Sequence, residues 1–131
     1  MANKKRDVKL TLNDIIAKKL EVKNKRNKKM EYYIEALEGE VTVTVPEDEY
    51  ILKTIDMIKD GEDMVTVAEA YEYLIYNSVD IFRNVELHKA YEIEIGQDIV
   101  KELLTIGERL DLGSEIISLS GLDQVQERVK K

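Results

Sequence analysis

Glu31-Tyr-Tyr-Ile-Glu-Ala-Leu-Glu-Gly-Glu-Val-Thr-Val-Thr-Val45 is the stretch whose reading decides the fold. Two runs rich in β-branched and aromatic residues flank Glu38-Gly39-Glu40, which is the pattern of strand, turn and strand. With Glu38-Gly39 at the centre of a two-residue turn, Tyr32, Ile34 and Ala36 oppose Val45, Val43 and Val41. Tyr33 and Glu35 then oppose Thr44 and Thr42. One face is wholly apolar and the other mostly polar, a segregation that a shift by one residue would scramble. A β-hairpin over 31–45 follows, and a lone hairpin is marginal in water, so helices must cover its apolar face.

The helices come after it. Pro46 with Glu47, Asp48 and Glu49 predicts a helix start, because proline fits the first turn and carboxylates complement the helix dipole. Ile51, Ile55 and Ile58 mark its buried side, and Asp60-Gly61 ends it. Val67, Ala70, Tyr71, Leu74, Ile75 and Ser78 recur at helical spacing and predict a strongly amphipathic helix. Residues 79–84 read as a connection and Val85 to Glu92 as a shorter helix. Gly96-Gln97-Asp98 introduces another, with Ile99, Leu103, Ile106 and Leu110 in register and Gly107 as a point of bending. Gly113-Ser114 reads as a stop and restart, Ser114 capping a helix with Ile116, Ile117 and Leu119, and Asp123 caps a last turn with Val125 and Val129. The expected fold is α+β, mostly α: one N-terminal β-hairpin packed against a bundle of about five to six helices.

Before the hairpin, Thr11 and Asp14 have the spacing of a helix N-terminus. Leu12, Ile15, Ile16 and Leu20 form one apolar stripe, after which Lys23 to Lys29 is a basic run with no core-facing side. Residues 1–9 are polar and basic and predict disorder. The chain therefore divides into a basic, partly disordered arm with a short amphipathic helix, 1–29, and a single globular domain, 30–131. A total of 131 residues suits one core and not two.

Charge sharpens that division. Residues 1–29 hold eleven Lys and Arg against three Asp and Glu, a balance of +8. The rest hold nine against twenty-four, a balance of -15, giving the overall -7. A basic arm on an acidic body points to a charged partner or to another copy of the body.

Catalytic and metal chemistry find no foothold. Without Cys there is no disulfide, thiolate nucleophile or zinc-thiolate site. The single histidine, His88, has no positioned partner, and Asp60-Gly61-Glu62-Asp63 lacks the alternating ligands of a calcium loop. No Gly-rich phosphate loop and no nucleophile elbow occur. The expectation is a protein-binding module, not an enzyme, with no catalytic residue, cofactor or metal. No apolar stretch follows the basic start, so neither a signal peptide nor a membrane span is expected.

Partner-binding candidates are Lys18, Lys19, Lys23, Lys25, Arg26, Lys28 and Lys29 of the arm, with Tyr73 and Tyr76 of the body. Tyr32, Tyr71 and Tyr91 fall on apolar faces and are assigned to the core; Tyr33, Tyr50, Tyr73 and Tyr76 fall on polar sides, where tyrosine favours interfaces. The arm also raises a nucleic-acid reading, but it has only two Arg and no interleaved aromatic, and the acidic body repels a polyanion.

Several stretches in order carry a family resemblance. They are Leu12-Asn-Asp-Ile-Ile16 with the basic run Lys18 to Lys29, the hairpin Glu31 to Val45 followed by Pro46, and Ala70-Tyr-Glu-Tyr-Leu-Ile-Tyr-Asn-Ser-Val79. Glu86-Leu87, Asp98-Ile-Val-Lys-Glu-Leu103 with Gly107-Glu108, and Leu119-Ser-Gly-Leu122 complete the set. Spanning nearly the whole chain, these resemble the XkdN-like family of phage tail assembly chaperones. A departure is Asp80-Ile-Phe-Arg-Asn84, where relatives often carry proline. The resemblance implies a chaperone that binds the tape measure protein in the host cytoplasm, keeps it soluble, supports polymerisation of tail tube subunits and is absent from the mature virion. It implies no catalysis and no cofactor, and it transfers no site residue; self-association is expected separately, from the opposite charges of arm and body, and no membrane partner is expected. Two other readings remain: a small nucleic-acid-associated regulator using the basic arm, and a structural tail component.

Overall fold

The computed structural model describes residues 9–61 and 63–122. The expectations for residues 1–8 and for the turn capped by Asp123 lie outside them. Two short helices, α1 (Leu12–Ala17) and α2 (Lys19–Arg26), precede a two-stranded antiparallel hairpin, β1 (Lys29–Ile34) and β2 (Gly39–Thr44). Then come α3 (Asp48–Asp60), α4 (Met64–Ser78), α5 (Val85–Ala90), α6 (Ile99–Leu103) and α7 (Ile106–Ser120). Single 3₁₀ turns occupy Glu35–Leu37, Asp80–Arg83 and Gly96–Asp98. The architecture is α+β and mostly α, with the hairpin against the helices, as the sequence predicts.

The hairpin forms with its expected faces but in another register. Tyr32 pairs with Val41 and Met30 with Val43, and Ile34 meets Gly39 rather than Val43. The shift is even, so alternation survives and Ile34 and Val43 are both fully buried. What moves the register is the connection: Glu35–Leu37 winds into a 3₁₀ turn, closed by Glu38 in the left-handed region at φ 50°. Ala36, expected opposite Val41, is therefore exposed in the turn. β1 begins at Lys29, with the Val45 N–H donating to the Lys28 carbonyl at 2.9 Å beyond it.

α4 is the central helix. Its Ala70, Leu74, Ile75 and Ser78 are all buried, and it packs against α3 on one side and α7 on the other. The core adds Ile34 and Val43 from the hairpin, Ile51, Phe82, Ile99, Val100, Leu112 and Ile116. Thr54 and Ser78 are buried hydroxyls satisfied by carbonyls four residues back, those of Tyr50 and Leu74, each at 2.7 Å.

Three boundaries differ from expectation. α3 starts at Asp48 with Glu47 as its N-cap, so Pro46 precedes the helix instead of occupying its first turn. The helix expected through Ile99 to Leu110 breaks at Leu104, whose backbone is extended. Thr105 then caps α7 through a reciprocal pair of hydrogen bonds with Glu108, which is stronger punctuation than Gly107. The break turns Ile106 outward, about half exposed. α7 runs unbroken through Gly113 and Ser114, so Ser114 is interior and caps nothing; Gly121, at φ 87°, ends the helix.

Candidate docking surfaces

The arm is built from a good local start. The Thr11 hydroxyl accepts from the Asp14 N–H at 3.2 Å, and the Asp14 carboxylate accepts from the Thr11 N–H at 3.0 Å. Those bonds hold the Asp14 carboxyl below the usual carboxylate range. A turn at Lys18 keeps the ladder going, with the Val22 N–H donating to the Lys18 carbonyl at 2.9 Å. Helix continues to Arg26, beyond the point where the apolar stripe gives out.

No part of residues 9–29 is buried. The apolar stripe faces outward: Leu12 and Leu20 are 73% and 72% exposed, Ile16 60% and Ile15 55%. The arm is anchored only at its root. Arg26 pairs with Asp48 at 3.3 Å, where Lys23, Arg26 and Asn27 border an open cleft against Glu47, Asp48 and Glu49. Lys18, Lys19, Lys23, Lys25, Lys28 and Lys29 are exposed, and among the described residues none of them holds an ion pair.

The tyrosines part company with these cations. Tyr73 is half-buried, its ring 6.1 Å from that of Tyr50 and under the Lys53 ammonium at 5.1 Å. Burial, with Tyr50 and Glu49 nearby, raises the Tyr73 hydroxyl pKa. Tyr76 packs against the core and stacks on His88 at 6.1 Å. His88 Nε2 in turn lies 2.7 Å from the Phe82 carbonyl, so the lone imidazole is held by the fold. Each tyrosine has its own neighbours, Tyr50 and Lys53 for Tyr73 and His88 for Tyr76. Tyr91, assigned to the core, is exposed just past the end of α5, while Tyr32 and Tyr71 do pack against the core.

A second uncovered apolar surface was not visible in the sequence. The N-terminal half of α4 and the start of α7 border an open groove of about 340 Å³. Met64, Val65 and Ala68 line one wall and Ile106 the other, with Met64 and Val65 about two-thirds exposed. Deep in it lies an ion pair between Glu72 and Arg109, with side chains only 4% and 15% exposed. Arg109 Nε is buried with no hydrogen-bond partner among the described residues. Glu72 falls between Ala68 and Ile75 on the buried side of α4, where a carboxylate requires a partner. Lys101, also in the groove, is paired with Asp98 at 3.5 Å. The acids Asp63 and Glu69 remain without an ion-pair partner among the described residues.

Among the described residues no three His, Asp or Glu side chains cluster as metal ligands, and no helix is long and apolar enough to cross a membrane. Compared with known proteins, the chain matches no family model, no curated protein and no solved structure.

Proposed function

We propose that this protein is a phage tail assembly chaperone that binds the tape measure protein, keeps it soluble and supports assembly of the tail tube around it. The family resemblance in the sequence supplies the identity of the client. The observation that carries the mechanism is the α4–α7 groove, an open apolar trough between two helices with exposed Met64, Val65 and Ile106 at its edges. A trough of this kind takes the apolar face of an amphipathic helix, and a long helical client offers many such faces in succession. The adaptable thioether of Met64 suits a surface that must accept varied partners. On this reading the protein works by transient shielding and needs no cofactor.

The test is co-expression with the tape measure protein encoded nearby, scored by the soluble fraction of that protein and by co-purification. Solubilisation that requires the full chain and is lost in Val65→Glu supports the reading. A client that stays insoluble with no complex formed refutes it. The exposed lysines of the arm are the observation favouring the nucleic-acid alternative, and steeply salt-dependent retardation of DNA would establish it instead.

A further inference from the structure

The arm and the groove are two uncovered apolar surfaces on one chain, and we infer that they meet between copies, the α1–α2 arm of one molecule seating in the α4–α7 groove of the next. Client binding in the same groove would then compete with a neighbour's arm, so the inference deepens the reading above, although self-association itself does not depend on it.

The arm needs an occupant from outside its own body. Leu10, Leu12, Ile15, Ile16, Leu20 and Val22 are all more than half exposed. Helices of six and eight residues gain little from propensity alone and are stabilised by packing an amphipathic face. Within one molecule that packing is missing among the described residues, because residues 9–29 bury nothing and are tied down only at their C-terminal root, by the Arg26–Asp48 pair and the backbone pairing that starts at Lys28.

Charge selects a second copy and this groove. At helical spacing Lys19 and Lys23 follow Ile15, Ile16 and Leu20 on the same side, so the stripe turns from apolar to basic along its length. The groove has the complement: apolar walls, the acid Glu69 with no ion-pair partner among the described residues, and cations already neutralised by Glu72 and Asp98. Arm-to-arm pairing would set +8 against +8, whereas arm-to-body pairing joins +8 to -15. The contact is heterologous, with different surfaces on the two sides, so it propagates into open chains instead of closing as a symmetric dimer.

Sedimentation velocity on the full-length protein tests this with Ile16→Glu in the arm, Val65→Glu in the groove, and their equimolar mixture. Both positions are more than half exposed, so the variants keep the fold, checked by circular dichroism. The wild type should form species that grow with concentration and shrink at high salt. Each variant alone should associate at least tenfold more weakly. The mixture, which retains one intact arm and one intact groove, should form a 1:1 dimer that grows no further. A second pair isolates charge: Lys19→Glu should weaken assembly and Glu69→Lys on the other copy should restore it. A wild type monomeric at all concentrations overturns the inference. So does a Val65→Glu variant that assembles like wild type, or a mixture that stays monomeric.

Discussion

At Gly113 the α7 backbone passes against the ring of Tyr71 so closely that a Cβ there would stand 2.4 Å from Tyr71 Cγ. Helix propensity favours alanine over glycine by about 1 kcal/mol, yet overpacking a fixed interface costs about 1–3 kcal/mol. Gly113→Ala should therefore lower the unfolding free energy by up to about 2 kcal/mol in urea titrations; a gain would mean that the α4–α7 contact yields easily. Glu38 presents the opposite case. It bears a side chain at φ 50°, where glycine is comfortable, and Glu38→Gly should stabilise the hairpin by about 0.5–1 kcal/mol in the same assay. These two residues mark how legible single positions were. The Thr11 and Asp14 cap was readable because its partners lie three residues apart. Gly113 read as a helix stop because Tyr71, which requires its smallness, lies on another helix. Glu38 lies in the turn as the pattern implies, but Gly39 opens β2 opposite Ile34, because the 3₁₀ winding of Glu35–Leu37 moves the turn back along the chain and leaves Glu38 in the left-handed conformation.

Elements are held to one another here by a few polar ties. The hairpin is fastened to α7 twice: the Tyr32 hydroxyl donates to Asp111 at 3.0 Å, and the Glu35 N–H donates to Glu108 at 3.1 Å. Backbone hydrogen bonds from Thr105 and Glu35 lower the Glu108 pKa, while burial and then the Asp111 bond push the Tyr32 hydroxyl to about 12. A depressed carboxyl stabilises the fold above its unfolded pKa and loses that contribution as pH falls through the folded value. A raised phenol stabilises below pH 10 and loses its contribution as pH rises toward about 12. Thermal midpoints should thus fall on both sides of a neutral plateau, and Glu108→Gln should flatten chiefly the acid limb, since burial and Asp111 act on Tyr32 ahead of Glu108. The buried Glu72–Arg109 pair joins α4 to α7. Arg109→Ala strands a carboxylate and should cost about 3–5 kcal/mol, whereas Glu72→Leu with Arg109→Met should recover most of it. A double variant as unstable as the single one would show that the pair is not electrostatically matched. The amphipathic period revealed α4 and its core side, but Glu72 among so many solvated acids carried no mark of burial until Arg109 was brought beside it.

For the whole molecule, the division into basic arm and acidic body was written in the charge distribution, since net charge needs no knowledge of contacts. Whether the apolar stripe of the arm faced inward was not, because periodicity says which residues share a side and never what covers them. The answer, that residues 9–29 bury nothing, leads to a stability prediction specific to arm-in-groove assembly. Removing residues 1–27 spares β1 and deletes no buried side chain among the described residues, so in dilute solution the truncated and full-length proteins should unfold within about 0.5 kcal/mol of each other. At higher concentration they should diverge. A neighbour's arm binds only folded grooves, so association stabilises the full-length protein by mass action and its melting midpoint should climb with concentration. The truncated protein has no arm to donate and should melt at one temperature throughout. Differential scanning calorimetry across a hundredfold range of concentration, at low and high salt, separates the cases. Screening beyond about 8 Å at physiological ionic strength should shrink the climb without abolishing it, because apolar contacts persist when the lysines are screened. A full-length midpoint indifferent to concentration would mean that the stripe serves the client alone.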